Sequence, residues 1–82
     1  MLWMKNFKQA TIEDLKATLA VNLRKIRLEK GLTQEKLALE ANVDRTFVSK
    51  IERQIGNPSL EILLRLANRL EVPVSILIQV EN

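Results

Sequence analysis

An all-α fold of five short helices is predicted for this chain by three features of its sequence. Apolar residues recur at spacings of three and four through most of its length, the period of a helix with one buried face. Only two Gly and two Pro interrupt 82 positions, and they fall between the periodic runs. Leu, Ile, Ala, Lys and Glu are abundant while aromatic residues make up 4%, a composition that favours helix over sheet.

The first ten residues, MLWMKNFKQA, read as an arm, with Trp3 and Phe7 set among Lys5 and Lys8 and Met4 as an alternative start. Thr11 is suited to cap the first helix, and Glu13 and Asp14 stand where the helix dipole favours anions. Ile12, Leu15, Leu19, Leu23 and Ile26 mark its inward face, and Gly31 supplies a left-handed stop. Thr33 caps a second helix that buries Leu37, Ala38 and Ala41. Asn42 and Val43 form a turn, Asn being tolerant of the left-handed conformation. Asp44 then caps a third helix with Val48 and Ile51 turned inward. A loop from Gln54 to Pro58 follows, and Pro58 disfavours helix at Asn57. Ser59 caps a fourth helix with Leu60, Leu63, Leu64, Ala67 and Leu70 as its core stripe. Pro73 punctuates before a short apolar fifth segment from Val74 to Val80.

Composition excludes several classes of function. No cysteine or histidine is present, so disulfides, thiolate chemistry and the common zinc-site patterns cannot be built. There is no histidine general base and no glycine-rich phosphate loop, which argues against an enzyme. No cofactor or metal is expected. No apolar run, Ile76 to Ile78 included, exceeds four residues, far too short to cross a membrane, and the N-terminus has no secretory core. A cytoplasmic location is the default. Eighty-two residues support one domain, an arm over 1–10 and a folded unit over 11–82. The net charge of +3 is compatible with nucleic acid but does not by itself select it.

Residues 33–53, TQEKLALEANVDRTFVSKIER, carry the functional signal. Two short amphipathic helices joined by a tight turn form a helix-turn-helix, whose second helix is the one that enters a DNA groove. Opposite Val48 and Ile51, the spacing of four places Arg45, Ser49 and Arg53 in one row and Thr46 and Lys50 in another. Arg can grip both acceptors of guanine, and Thr can donate, accept or touch a thymine methyl. Asp44 and Glu52 flank this stripe without entering it.

Residues 24–78 resemble the Cro/repressor-type (XRE-like) helix-turn-helix family of compact five-helix, lambda-repressor-like DNA-binding domains. The matching string begins RKIRLEKGLTQEKLA and continues VDRTFVSKIER and NPSLEILLRLANRLEVPVS, with Gln34, Leu37, Ala38, Val43, Val48 and Ile51 at the family's spacings. Within the family the string is most similar to the controller proteins of restriction–modification systems. The resemblance implies that Gln34 sits beside the DNA backbone and that Arg45 and Thr46 read bases. It places Lys50 toward the groove, lets Ser49 and Arg53 touch bases or phosphates, and pairs Arg27 with Glu52 in an internal ion pair. Phe47 stands where similar controllers often have Tyr, either packing on sugars and thymine methyls or closing the core edge. Two departures stand out: Asn42 replaces a common turn glycine, and Gln54, Ile55 and Gly56 replace a glycine followed by a basic residue.

One recognition helix covers only a few base pairs, which helix-turn-helix proteins remedy by dimerising across half-sites about 34 Å apart. Ile62, Leu66, Ile76, Ile78 and Val80 are candidates for that homodimer interface, the alternative being that Leu66 and some others complete the core. The expected function is therefore a regulator that binds an inverted-repeat operator in double-stranded DNA and both activates and represses its own promoter. RNA polymerase would be a further partner. An antitoxin-type autorepressor and a phage-like repressor use the same fold, and an adaptor that binds protein rather than DNA is the rival from another class.

Overall fold

Five helices follow one another in the computed structural model, which describes residues 9–80: α1 (Ile12–Glu29), α2 (Gln34–Glu40), α3 (Phe47–Glu52), α4 (Leu60–Leu70) and α5 (Val74–Ile78). No strand occurs among the described residues. Trp3, Met4, Phe7 and most of the expected arm lie outside them.

Local chemistry sets three of the helix starts. The Thr11 hydroxyl accepts from the Asp14 N–H at 3.1 Å, and the Asp14 carboxylate accepts from the Thr11 N–H at 3.0 Å. This reciprocal box satisfies two donors that the first turn of α1 would otherwise leave without partners. Thr33 caps α2 through the Lys36 N–H at 3.0 Å, and Ser59 caps α4 through the Ile62 N–H at 3.2 Å. Each such cap contributes about 1 kcal/mol.

Helix ends follow one rule. Gly31, Asn42, Gln54 and Glu71 each take a positive φ, between 57° and 70°. After each, the next N–H turns back to a carbonyl of the preceding helix: Leu32 to Arg27, Val43 to Ala38, Ile55 to Lys50 and Val72 to Ala67, all at 2.9–3.1 Å. These Schellman closures satisfy the terminal carbonyls and reverse the chain tightly.

The third helix begins later than its sequence suggests. Asp44 does not cap it; its carboxylate accepts from the N–H of Thr46, two residues on, at 2.9 Å. Arg45 and Thr46 form a turn before α3, and the Phe47 N–H reaches the Asp44 carbonyl at 2.9 Å. An aspartate bonding its own backbone two residues ahead makes a turn rather than a helix start.

The core joins Leu19 and Leu23 of α1, Leu37 and Ala38 of α2, Val48 and Ile51 of α3, Leu63, Leu66, Ala67 and Leu70 of α4, and Leu77 of α5. Leu66, a candidate for a partner interface, is fully buried here and is unavailable to one. The expected core stripe of α4 is also shifted, since Leu60 is 82% and Leu64 50% exposed. Positions 63, 66, 67 and 70 form one helical face, and 60 and 64 lie beside it. Ile12 and Leu15, expected inside, are exposed on the first turn of α1.

A buried asparagine fastens the C-terminal segment. The Asn22 amide donates to the Leu77 carbonyl at 3.0 Å and the Gln79 carbonyl at 2.8 Å. It thereby satisfies chain-end acceptors where α5 runs out of helical partners.

Candidate nucleic-acid interface

The α2–turn–α3 unit is held from three sides, and this fixes what its outer surface presents. From within, Leu37, Ala38, Val48 and Ile51 are almost completely buried, with Phe47 and Val43 packed at the rim. Ala38 is small enough for α3 to cross close above α2.

From α4, Arg65 donates to the Asn42 carbonyl at 3.0 Å, so the turn is tied as well as closed. Arg69 reaches Glu40 at the end of α2 with nitrogen–oxygen distances of 2.6 and 2.7 Å. That hydrogen bond, with help from Lys36, holds the Glu40 carboxyl below its ordinary value.

From α1, Arg27 clasps α3. Its Nε donates to one Glu52 carboxylate oxygen at 2.7 Å and its Nη2 to the other at 2.8 Å, while Nη1 binds the Leu32 carbonyl. Such a fork-to-fork pair constrains orientation as well as distance. The Glu52 side chain is only 3% exposed, so its charge is withdrawn from the outer face. Hydrogen bonding to Glu52 raises the Arg27 pKa despite the opposing effect of burial, which keeps the guanidinium charged. Gln34 joins the same clasp, its amide donating to Glu52 at 3.0 Å.

Outside, Arg45, Thr46, Lys50 and Arg53 are exposed, with Ser49 half-buried between them. The Arg53 Nε donates to the Ser49 hydroxyl at 3.2 Å, laying the guanidinium along the helix. Phe47 is half-buried against the core, which places it at the core edge. Arg24, absent from the sequence-based candidates, stands 63% exposed at 3.9 Å from Glu52. Its signal was its place three residues before Arg27 on the same face of α1.

The outer face is therefore mainly basic, with Glu35 of α2 exposed near Arg45 and a second acid, Asp44, in the turn. The Asp44 carboxyl is held below the ordinary aspartate value by the Thr46 hydroxyl first and the Thr46 N–H second, with lesser help from Lys50 and Arg45. The surface carries cations and hydrogen-bond donors, beside a shallow depression lined by Thr33, Glu35, Lys36, Leu39 and Arg45. Among the described residues no group of three or more His, Cys, Asp or Glu could hold a metal ion, and no helix is long and apolar enough to cross a membrane.

The proposed partner-interface residues lie elsewhere. Ile78 and Val80 are exposed, Ile62 and Ile76 half-buried. Ile12, Leu15, Ile78 and Val80 line one shallow groove between α1 and the C-terminal segment.

Comparison with known proteins agrees with this geometry. A family model described as helix-turn-helix matches residues 23–77. A hypothetical transcription factor of Neisseria meningitidis is 43% identical over 60 residues, spanning 73% of this chain and 57% of its own length. The control protein C.SmaI of Serratia marcescens is 38% identical over 61 residues, 74% of this chain and 73% of that protein. The crystal structure of the restriction–modification controller C.AhdI of Aeromonas hydrophila superposes with a TM-score of 0.73 at 37% identity, covering 76% of this chain and 94% of that one.

Proposed function

The chain belongs to the helix-turn-helix family of DNA-binding transcription regulators, and from that premise we propose that it binds an inverted-repeat operator as a homodimer and controls its own promoter, as a restriction–modification controller does. One observation carries the reading. Arg45 and Thr46, in the turn that leads into α3, and Lys50 and Arg53, toward its far end, face outward from a helix whose opposite face is buried and whose one acid, Glu52, is neutralised internally. A solvated helix face has no need of that clasp; a helix that must enter a groove at a fixed angle does.

Arg45 and Thr46 take the base-reading role, at the leading edge of α3. Lys50 and Arg53 supply groove and phosphate contacts, Arg24 a further phosphate contact, and Gln34 approaches the backbone from α2. Phosphate contacts supply salt-sensitive affinity, base contacts selectivity. Action is by occupancy, activation requiring contact with RNA polymerase and repression following when further dimers load.

The homodimer is assigned to the apolar surface of Ile12, Leu15, Ile78 and Val80; this leaves out Leu66, which is buried, and Ile76, which lines a separate depression with Lys25, Ile26 and Val72. Exposed clustered aliphatic residues of this kind mark association.

Mobility-shift titration of the purified chain on DNA from upstream of its own gene, against scrambled DNA of equal length, tests the proposal. A selective shift is expected. Equal binding to both sequences removes the operator, and no binding at low salt removes DNA altogether and leaves the protein-binding adaptor.

A further inference from the structure

We propose that Asp44 sets the hydrogen-bonding polarity of Thr46, so that the Thr46 hydroxyl selects amino-bearing base edges, adenine or cytosine, over keto-bearing guanine or thymine. The inference rests on the reading that α3 enters the major groove, and assigns one specificity within it.

The Thr46 hydroxyl donates to Asp44 Oδ1 at 2.6 Å, and the Thr46 N–H donates to the same oxygen at 2.9 Å. A threonine hydroxyl owns one hydrogen and two acceptor lone pairs. An ionised carboxylate is a stronger acceptor than any neutral base carbonyl, and a short O–H to carboxylate bond is among the firmest available. The carboxyl is ionised at neutral pH, as any aspartate near its ordinary pKa of about 3.9 is, and hydrogen bonding to Thr46 lowers its pKa further. Two contacts from one residue to one oxygen also fix the side-chain rotamer. What Thr46 offers outward is then its lone pairs and its methyl group.

In the major groove adenine N6 and cytosine N4 donate, whereas guanine N7 and O6 and thymine O4 accept. A hydroxyl with its hydrogen already committed is attracted to the first pair and repelled by the second. Its exposed neighbours Arg45, Lys50 and Arg53 can only donate. Thr46 therefore adds an acceptor beside these donors, a requirement those cations cannot express. Asp44 acts through Thr46 and is a positioning residue for specificity. It has no need to touch DNA.

The test is selection of bound sites from a randomised half-site library, read by sequencing, for the full chain and its Thr46→Val, Thr46→Ser, Asp44→Ala and Asp44→Asn variants. Removing the Asp44 charge strengthens binding to all DNA alike, so the base profile rather than the affinity is the readout. The position lost in Thr46→Val is the one that Thr46 reads. There the unmodified chain is expected to favour adenine or cytosine on one strand by about fivefold, the scale of one good hydrogen bond. Thr46→Ser keeps the preference; Asp44→Ala admits guanine and thymine at that position and leaves the others unchanged. Asp44→Asn, which keeps the turn with a weaker acceptor, gives an intermediate profile and decides the matter if Asp44→Ala does not fold. A keto preference at that position, no position lost in Thr46→Val, or an unchanged profile in the Asp44 variants overturns the inference while leaving the operator reading intact. Absence of enrichment by the unmodified chain sinks the operator reading, and this inference with it.

Discussion

Arg27 and Glu52 are the residues on which the outer face depends, and their burial makes the dependence measurable. Arg27→Ala leaves a carboxylate that is 3% exposed without its main cation. The expected loss is about 3–5 kcal/mol, read from the urea midpoint, because the stranded charge rather than the missing contact dominates. A loss below about 1 kcal/mol would place the pair in the surface class. Replacing both partners with Met and Leu should recover most of the stability, which a simple deletion of contacts would not. Asp44 gives a second prediction, with its sign fixed by linkage. Its folded pKa is depressed, so the folded chain holds that proton less tightly than the unfolded chain. The contribution is complete above the ordinary aspartate value, about 3.9, and disappears as pH falls through the lower folded value. An NMR titration of the Asp44 carboxyl should therefore show a midpoint that rises toward the ordinary value in Thr46→Val. An unmoved midpoint would mean that Thr46 is not its partner in solution. Lys50 and Arg53 were legible as outward-facing because ions on an amphipathic helix declare their face, whereas the Arg27–Glu52 pair came only from the family resemblance and Arg24 was missed. Asn22 was not legible, since a lone polar residue within an apolar face has no periodic signature; only the chain end that it binds, 55 residues away, explains it.

Helix starts and stops depend on neighbours within four residues, and that is why Thr11, Thr33, Ser59 and Gly31 could be read as punctuation before any packing was known. The left-handed residues that close α3 and α4 could not, because Gln54 and Glu71 have no preference for φ near 60°. Their position is imposed by the reversal of the chain, at a cost that glycine would avoid. Glu71→Gly should raise stability by about 0.5–1 kcal/mol after allowing for the looser unfolded chain, or several degrees in Tm. No change would mean that the Glu71 side chain makes a compensating contact. The two faces of α4 were ambiguous for a different reason. Leu60, Ile62, Leu63, Leu64, Leu66, Ala67 and Leu70 surround most of the helix with apolar surface, so helical period alone admits more than one inward stripe. The structure selects the stripe containing Leu66 and leaves Leu60 and Leu64 outside. Leu66→Ala should consequently cost about 2–5 kcal/mol, whereas Leu60→Ser and Leu64→Ser should each change monomer stability by no more than about 0.5 kcal/mol. Thermal unfolding at a concentration low enough to prevent association separates the two outcomes.

At the scale of the molecule the exposed groove of Ile12, Leu15, Ile78 and Val80 is the feature that one copy of the chain leaves without a role. No local spacing in the sequence encodes what covers such a surface, which is why the helices were easier to read than the assembly. If two copies meet there, DNA affinity inherits the charge of both. An operator contact that neutralises Z phosphates per subunit gives a dimer a slope of log K against log salt of about −0.9 times 2Z, and a monomer about half that slope. Ile78→Asp tests this without touching the outward basic row, because it sets a carboxylate in the groove at a residue that is already partly exposed. Its far-UV circular dichroism should match the parent chain, and sedimentation should show a monomer at concentrations where the parent is dimeric. Binding to a two-half-site DNA should weaken and its salt slope should fall by about half, while the preferred bases within each half-site stay the same. A variant that remains dimeric would move the interface away from α5. A monomeric variant with an undiminished slope would show that each subunit already engages the full set of phosphates, and that two half-sites are not read together.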